Sequence, residues 1–180
     1  MVTEQIPTAR DLMEDVDLVF TPGMDLLDAI DELARHEASA APVVDDSHHL
    51  LGMVTEKDCI RILTGSAFYR PRGGSVEDFM SVVRVAIEPE MDLFRVSELF
   101  LGNNFPMMPV VDDGKLVGCI TRQHMLRGIM ELTRAWRQVQ SKLEEEAGEA
   151  AERPTSIQEL QEVFSKYSKG QLVRRLGRRS

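Results

Sequence analysis

The stretch Gly52–Ile60, GMVTEKDCI, is echoed by Gly118–Leu126, GCITRQHML. Working outward from it, further blocks fall into register. At an offset of 67, Asp11-Leu12-Met13 meets Asp78-Phe79-Met80, and Pro22–Leu26 (PGMDL) meets Pro89–Leu93 (PEMDL). Pro42–Asp46 (PVVDD) meets Pro109–Asp113 (PVVDD). The turn DDSHHLLG is one residue longer than DDGKLVG, so beyond it Gly52 faces Gly118 and Thr55 faces Thr121. Ordered matches in four blocks identify a duplicated unit.

Each unit reads alike. A helical turn opens at Thr8 or Ser75, with Asp11 or Asp78 completing a capping-box pattern. An extended piece follows, DLVF or RVAI. Next comes an amphipathic helix entered through proline, with Leu26, Leu27, Ile30, Leu33 and Ala34 as the apolar stripe of the first copy. Two strands around PVV and LLGMV or LVGCI are joined by the Asp-rich turn, and a last helix starts at Thr55 or Thr121. The predicted fold class is α/β (α+β), in the order strand, helix, strand, strand, helix. The predicted organisation is repeat 1 at 8–65, a linker at 66–74 rich in turn formers, repeat 2 at 75–130, and a helical extension with a basic tail at 131–180. One such unit is too small to bury its helix faces, so the two should pack together.

PVVDD followed by G-h-h-T-x-x-D (h, hydrophobic), twice in tandem over about Thr8 to Met130, resembles the CBS domain pair, or Bateman module. The resemblance implies a pseudo-twofold pair binding an adenosine nucleotide (AMP, ADP, ATP or S-adenosylmethionine) between the repeats. It further implies dimerisation and a regulatory output to a partner. Carried over by position, Thr55 and Asp58 would hold the ribose, with Val85, Glu88, Phe105, Pro106 and Met107 beside the base. A second site would combine Thr121 and His124 with Thr21, Ala38 and Ser39. Glu88 departs from the pattern as a negative charge. His124 departs by replacing the expected aspartate.

The residues themselves support two readings of Thr55 and Asp58. T-E-K-D before an apolar run is a capping box, and an acid there suits the helix dipole. Alternatively, an ionised Asp accepts through two oxygens and can take both hydroxyls of a ribose. Threonine and the first amides of the helix can receive phosphate. A neutral imidazole at His124 carries one acceptor and one donor, so it cannot reproduce the carboxylate. It is either a surface residue of a helix start or part of an altered, weaker or empty site. Lys57, Arg122, Arg70 and Arg72 are candidates for neutralising phosphate.

Other chemistry finds less support. Asp45, Asp46, His48 and His49 crowd one turn, but adjacent hairpin residues rarely converge on one ion, and no metal or cofactor is expected. Neither Cys59 nor Cys119 lies near a histidine in sequence, and no G-x-S-x-G, P-loop or H-E-x-x-H occurs, so catalysis is not expected. The apolar content of 43% allows a core. The amino terminus lacks an apolar signal core, no run could span a bilayer, and two isolated cysteines suit a reducing compartment. The expectation is a cytoplasmic protein. The net charge is −9, yet Lys166–Ser180 holds six basic residues and no acid. An acidic body with a basic tail does not describe a general nucleic-acid binder. The tail is either solvated, docked on the protein itself, or in contact with an anionic partner. Met125, Ile129, Leu132, Trp136, Val139 and Leu143 form a heptad seam that either packs back or pairs with a second subunit. Ser156 and Glu159 open a possible further helix.

Overall fold

The computed structural model describes residues 6–64 and 74–147. The linker 66–73, with Arg70 and Arg72, and everything from 148 onward, including the helix expected at Ser156 and the basic tail, lie outside the described residues. The first copy comprises α1 (Ala9–Leu12), α2 (Leu26–Arg35), β1 (Ala40–Val44), β2 (Leu50–Thr55) and α3 (Glu56–Thr64). The second comprises α4 (Val76–Phe79), α5 (Leu93–Gly102), β3 (Met107–Asp112), β4 (Lys115–Thr121) and α6 (Arg122–Ala147).

The helix starts are fixed by side chains. Thr8/Asp11 and Ser75/Asp78 form complete capping boxes on α1 and α4. The proline expected in the first turn of α2 and α5 instead sits in the preceding turn. The caps are Asp25, accepting from the Leu27 amide at 2.9 Å, and Asp92, accepting from the Phe94 and Arg95 amides at 2.9 Å. Starting α2 at Leu26 turns Leu26, Ala29 and Leu33 inward and leaves Leu27 and Ala34 exposed, narrowing the expected stripe.

Each copy contributes one antiparallel hairpin, β1–β2 and β3–β4, with a register shift at Val43/Val44 and at Val110/Val111. The expected first strands shrink to single parallel bridges, Phe20 to Val43 and Ile87 to Val110. On the far edge of each hairpin, the other copy's opening segment lies antiparallel: Ser81 pairs with Met53, and Glu14 with Cys119. The hairpin turns meet each other, where His49 bridges Lys115 and the His48 carbonyl accepts from the Leu116 amide at 3.0 Å. Asp45 holds that turn, accepting from the Ser47 and His49 amides and lying 3.2 Å from His49 Nδ1.

The opening helices are exchanged. The α1 amides of Ala9 and Arg10 donate to the Met91 and Pro89 carbonyls, and Ala9 and Leu12 are buried in the core of the second copy with Ile87, Leu93 and Ile120. Reciprocally, the α4 amides of Val76 and Glu77 donate to Met24 and Pro22, and Val76 is buried among Phe20, Leu33 and Val54. Each core therefore needs both copies. This exchange is why one unit does not suffice.

Helix α6 runs unbroken across position 131. Met125 and Leu132 are buried in the second core, Ile129 packs against it, and Trp136 is buried, so this part of the seam folds back. The side chains of Val139 and Leu143 lie outside the described residues.

Candidate functional site

Where β2 passes into α3, Thr55 stands opposite Ala40 at the end of the hairpin. The Thr55 hydroxyl receives the Asp58 amide at 3.2 Å, half of the expected capping box. The other half differs. In α1 and α4 the aspartate accepts from the cap's own backbone amide, at 2.8 and 3.0 Å. The Asp58 carboxylate takes its cap hydroxyl, Thr55, at 2.6 Å, as Asp11 and Asp78 take theirs at 2.9 Å. In place of the cap amide it has the Ser81 hydroxyl at 3.3 Å, both on Oδ2. Among the described residues its Oδ1 has only Arg61, at 3.5 Å. A carboxylate offers about four acceptor positions, so Oδ1 retains capacity, and the side chain is 13% exposed.

That exposed edge faces a cavity of about 520 Å³ between the copies. The structure brings Thr55, Asp58, Val85, Phe105, Pro106 and Met107 together on its wall. Its lining combines the Thr55 hydroxyl and Asp58 carboxylate with apolar surface from Val83, Val85, Phe105 and Met107. Glu88 is not among them. Backbone alternation along 83–89 turns Val83, Val85, Ile87 and Pro89 inward and Glu88 outward, into a separate depression with Asp112 and Asp113. Ser39, expected at the other site, also lines the Asp58 cavity, its carbonyl receiving the Glu56 amide at 3.0 Å. Thr21 is exposed, and Ala38 packs against the first core.

At the second T-x-x-H turn the imidazole completes the box that Asp58 leaves open. His124 Nδ1 accepts the Thr121 amide at 3.3 Å, and the Thr121 hydroxyl accepts the His124 amide at 3.3 Å. His124 Nε2 lies 3.1 Å from Glu14 Oε2, and Arg127 bonds the other Glu14 oxygen at 2.5 Å. Arg127 and His124 hold the Glu14 carboxyl below its ordinary range. Both ring nitrogens are thus engaged within the protein. Glu14 is the repeat counterpart of Ser81: acid on the helix with hydroxyl opposite in one half, imidazole with acid opposite in the other.

Among the cavity residues missed from sequence are Ser81, Arg84, Arg61 and Asn104. The offset of 67 that pairs Met13-Glu14 with Met80-Ser81 held the signal for Ser81. Arg122, one of the candidates for neutralising phosphate, lines the Asp58 cavity, where its guanidinium donates to Asn104 Oδ1 at 2.9 Å. The histidines of the DDSHH turn serve the hairpin junction. Among the described residues, no three His, Cys, Asp or Glu side chains are grouped to hold a metal ion. No helix among them is long and apolar enough to cross a membrane.

The profile of the CBS domain matches residues 9–65 and 76–131. The chain belongs to the CBS domain family. This CBS pair is similar to Uncharacterized protein MJ1225 of Methanocaldococcus jannaschii, 27% identical over 118 residues, 66% of this chain and 41% of that one. It is 29% identical over 108 residues to the inosine-5′-monophosphate dehydrogenase of Aquifex aeolicus, matching 59% of this chain and 21% of the enzyme. The match therefore spans less than half the length of these curated relatives. Among solved structures, CBSX2 of Arabidopsis thaliana in complex with AMP superposes with a TM-score of 0.62 at 27% identity, covering 70% of this chain and 98% of that one. A CBS domain-containing protein from Bacillus anthracis shares the fold at 23% identity and a TM-score of 0.62, covering 69% of this chain and 94% of that one.

Proposed function

We propose that this CBS pair is a regulatory module, not an enzyme, that takes an adenosine nucleotide in the cavity at Asp58. It reports occupancy to a partner through a change in how the copies sit together. The observation that carries this reading is the orientation of Asp58. In a chain that twice builds a full capping box with aspartate, this carboxylate turns from its own backbone toward a cavity and keeps one oxygen lightly used. A cis-diol needs such an acceptor. Val85, Phe105 and Met107 offer the apolar and aromatic surface a purine covers. The similarity to CBSX2, solved with AMP, favours the same ligand class. The closed arrangement at His124 favours one nucleotide per chain. Two buried, unpaired cysteines suit a reducing, cytoplasmic setting, and exposed Leu126 and Met130 on α6 suit a second copy.

Isothermal titration with AMP, ADP, ATP and S-adenosylmethionine tests this. Wild type should bind at least one, Asp58→Asn should weaken it about tenfold or more, and His124→Ala should leave it within about twofold. Binding that survives Asp58→Asn and is lost in His124→Ala would reverse the site. No binding of any of the four would favour a ligand-free scaffold that recruits its partner through the carboxy-terminal helices.

A further inference from the structure

The rim of the Asp58 cavity opposes the charge of the whole chain. The protein carries −9, yet Lys57, Arg61, Arg84 and Arg122 all line this cavity, against only two carboxylates, Glu56 and Asp58. All four cations are exposed, so they edge the opening. Of the four, Arg61 is the one committed to an acid, at 3.5 Å from Asp58. Arg122 is bonded to a neutral amide, Asn104. No carboxylate lies within 4.0 Å of Lys57 or Arg84 among the described residues.

These cations converge from different parts of the chain: the first turn of α3, the extended segment before Ile87, and the start of α6. Surface cations of a soluble protein ordinarily intermix with acids. Three without an acid partner around one opening, in a chain this acidic, repel one another and are relieved by an anion. Backbone alternation gives Arg84 its place: Val83 and Val85 face inward, so Arg84 stands outward at the edge.

Resting on the nucleotide reading above, we infer that the Asp58 cavity selects for phosphate charge, so affinity rises from adenosine through AMP to ADP and ATP, with Arg84 and Lys57 as the discriminating residues. S-adenosylmethionine, whose sulfonium is cationic, ranks below AMP. Apolar and hydroxyl contacts deep in the cavity are common to all these ligands. The ranking comes from the rim alone.

The test is titration of adenosine, AMP, ADP, ATP and S-adenosylmethionine without divalent cations, at low and high salt. Exposed charge contacts are modest, so each added phosphate should tighten binding about two- to fivefold. The ATP-to-AMP ratio should shrink at about 1 M salt, where screening acts over about 3 Å. Arg84→Ala and Lys57→Ala should each compress that ratio. Arg95→Ala, whose guanidinium is paired with Glu98 away from the cavity, should not. Equal affinity for AMP and ATP, or tighter S-adenosylmethionine, overturns the inference while leaving the nucleotide reading standing. Failure of every adenosine compound to bind defeats both.

Discussion

Gly52 and Gly118, the first letters of the repeated phrase, are required by close approach of the exchanged segments. A Cβ built on Gly52 would lie 2.7 Å from Met80 Sδ and 3.0 Å from the Ser81 carbonyl oxygen. On Gly118 it would lie 2.9 Å from Met13 Sδ and 3.0 Å from the Glu14 carbonyl oxygen. The sulfurs can move, but the carbonyls cannot retreat freely. Ser81 O accepts from the Met53 amide at 3.0 Å, and Glu14 O from the Cys119 amide at 3.0 Å. Overpacking of this kind costs about 1–3 kcal/mol. Neither glycine has a positive φ, so alanine recovers about 0.4–1 kcal/mol from the unfolded chain. The net destabilisation should centre on about 1.3 kcal/mol and not exceed about 2.6 kcal/mol. At about 2–4 °C per kcal/mol for a chain of this size, Gly52→Ala and Gly118→Ala should each lower the Tm by about 3–5 °C, and by no more than about 10 °C. Gly23 supplies the control, because its Cβ would meet nothing within 4 Å, so Gly23→Ala should be neutral or slightly stabilising. Gly52→Ala should also weaken nucleotide binding, since it displaces the residue whose hydroxyl steadies Asp58; Gly118→Ala should do so less. Thermal and urea denaturation of the three variants, with nucleotide titration, decides it. If the Gly52 and Gly118 variants proved as harmless as Gly23→Ala, the exchanged packing would be wrong.

Two further outcomes concern titrating groups. Burial pushes the Cys119 thiol up to about 12 and raises that of Cys59, where Asp58 adds to the effect; a thiol-disulfide reagent at pH 8 should label neither until denaturant is added, and rapid labelling of Cys119 in the native protein would contradict its place in the core. Glu14 has its carboxyl held down by Arg127 and His124, so its contribution is present above its ordinary value of 4.5 and lost as pH falls through the lower folded value. Glu14→Gln should therefore cost stability at pH 7 and show a narrower gap from wild type below about pH 4; a gap that widens in acid has the wrong sign.

The duplication, the element order and most of the first site were legible because they are local. PVVDD and T-x-x-D have fixed spacing, and a hairpin running into a helix follows from it. What stayed hidden was set by the partner copy. The strands expected at DLVF and RVAI reduce to one bridge each, while a segment of the other copy takes the opposite hairpin edge. Leu27 looked like core because its spacing fits the stripe, but the Asp25 cap rotates the helix start and exposes it. Glu88 was placed beside the base by position, whereas strand alternation turns it out. Ser81 and Glu14 carry no motif, and their roles appear only when each is seen opposite the other copy's helix.

The exchange also explains why the two halves could diverge at one position without losing the fold. Ser81 and Glu14 make the same backbone bridge, to Met53 and Cys119 respectively, so their side chains are free to vary while the scaffold stays fixed. With serine opposite, an aspartate on the helix keeps a share of its acceptors for the cavity. With glutamate opposite, a second carboxylate on the helix would face a like charge at hydrogen-bond range, which is unfavourable. An imidazole there joins the glutamate and caps its own helix at once. The histidine at 124 thus fits the acid at 14, and the same pairing occupies both of its ring nitrogens within the protein.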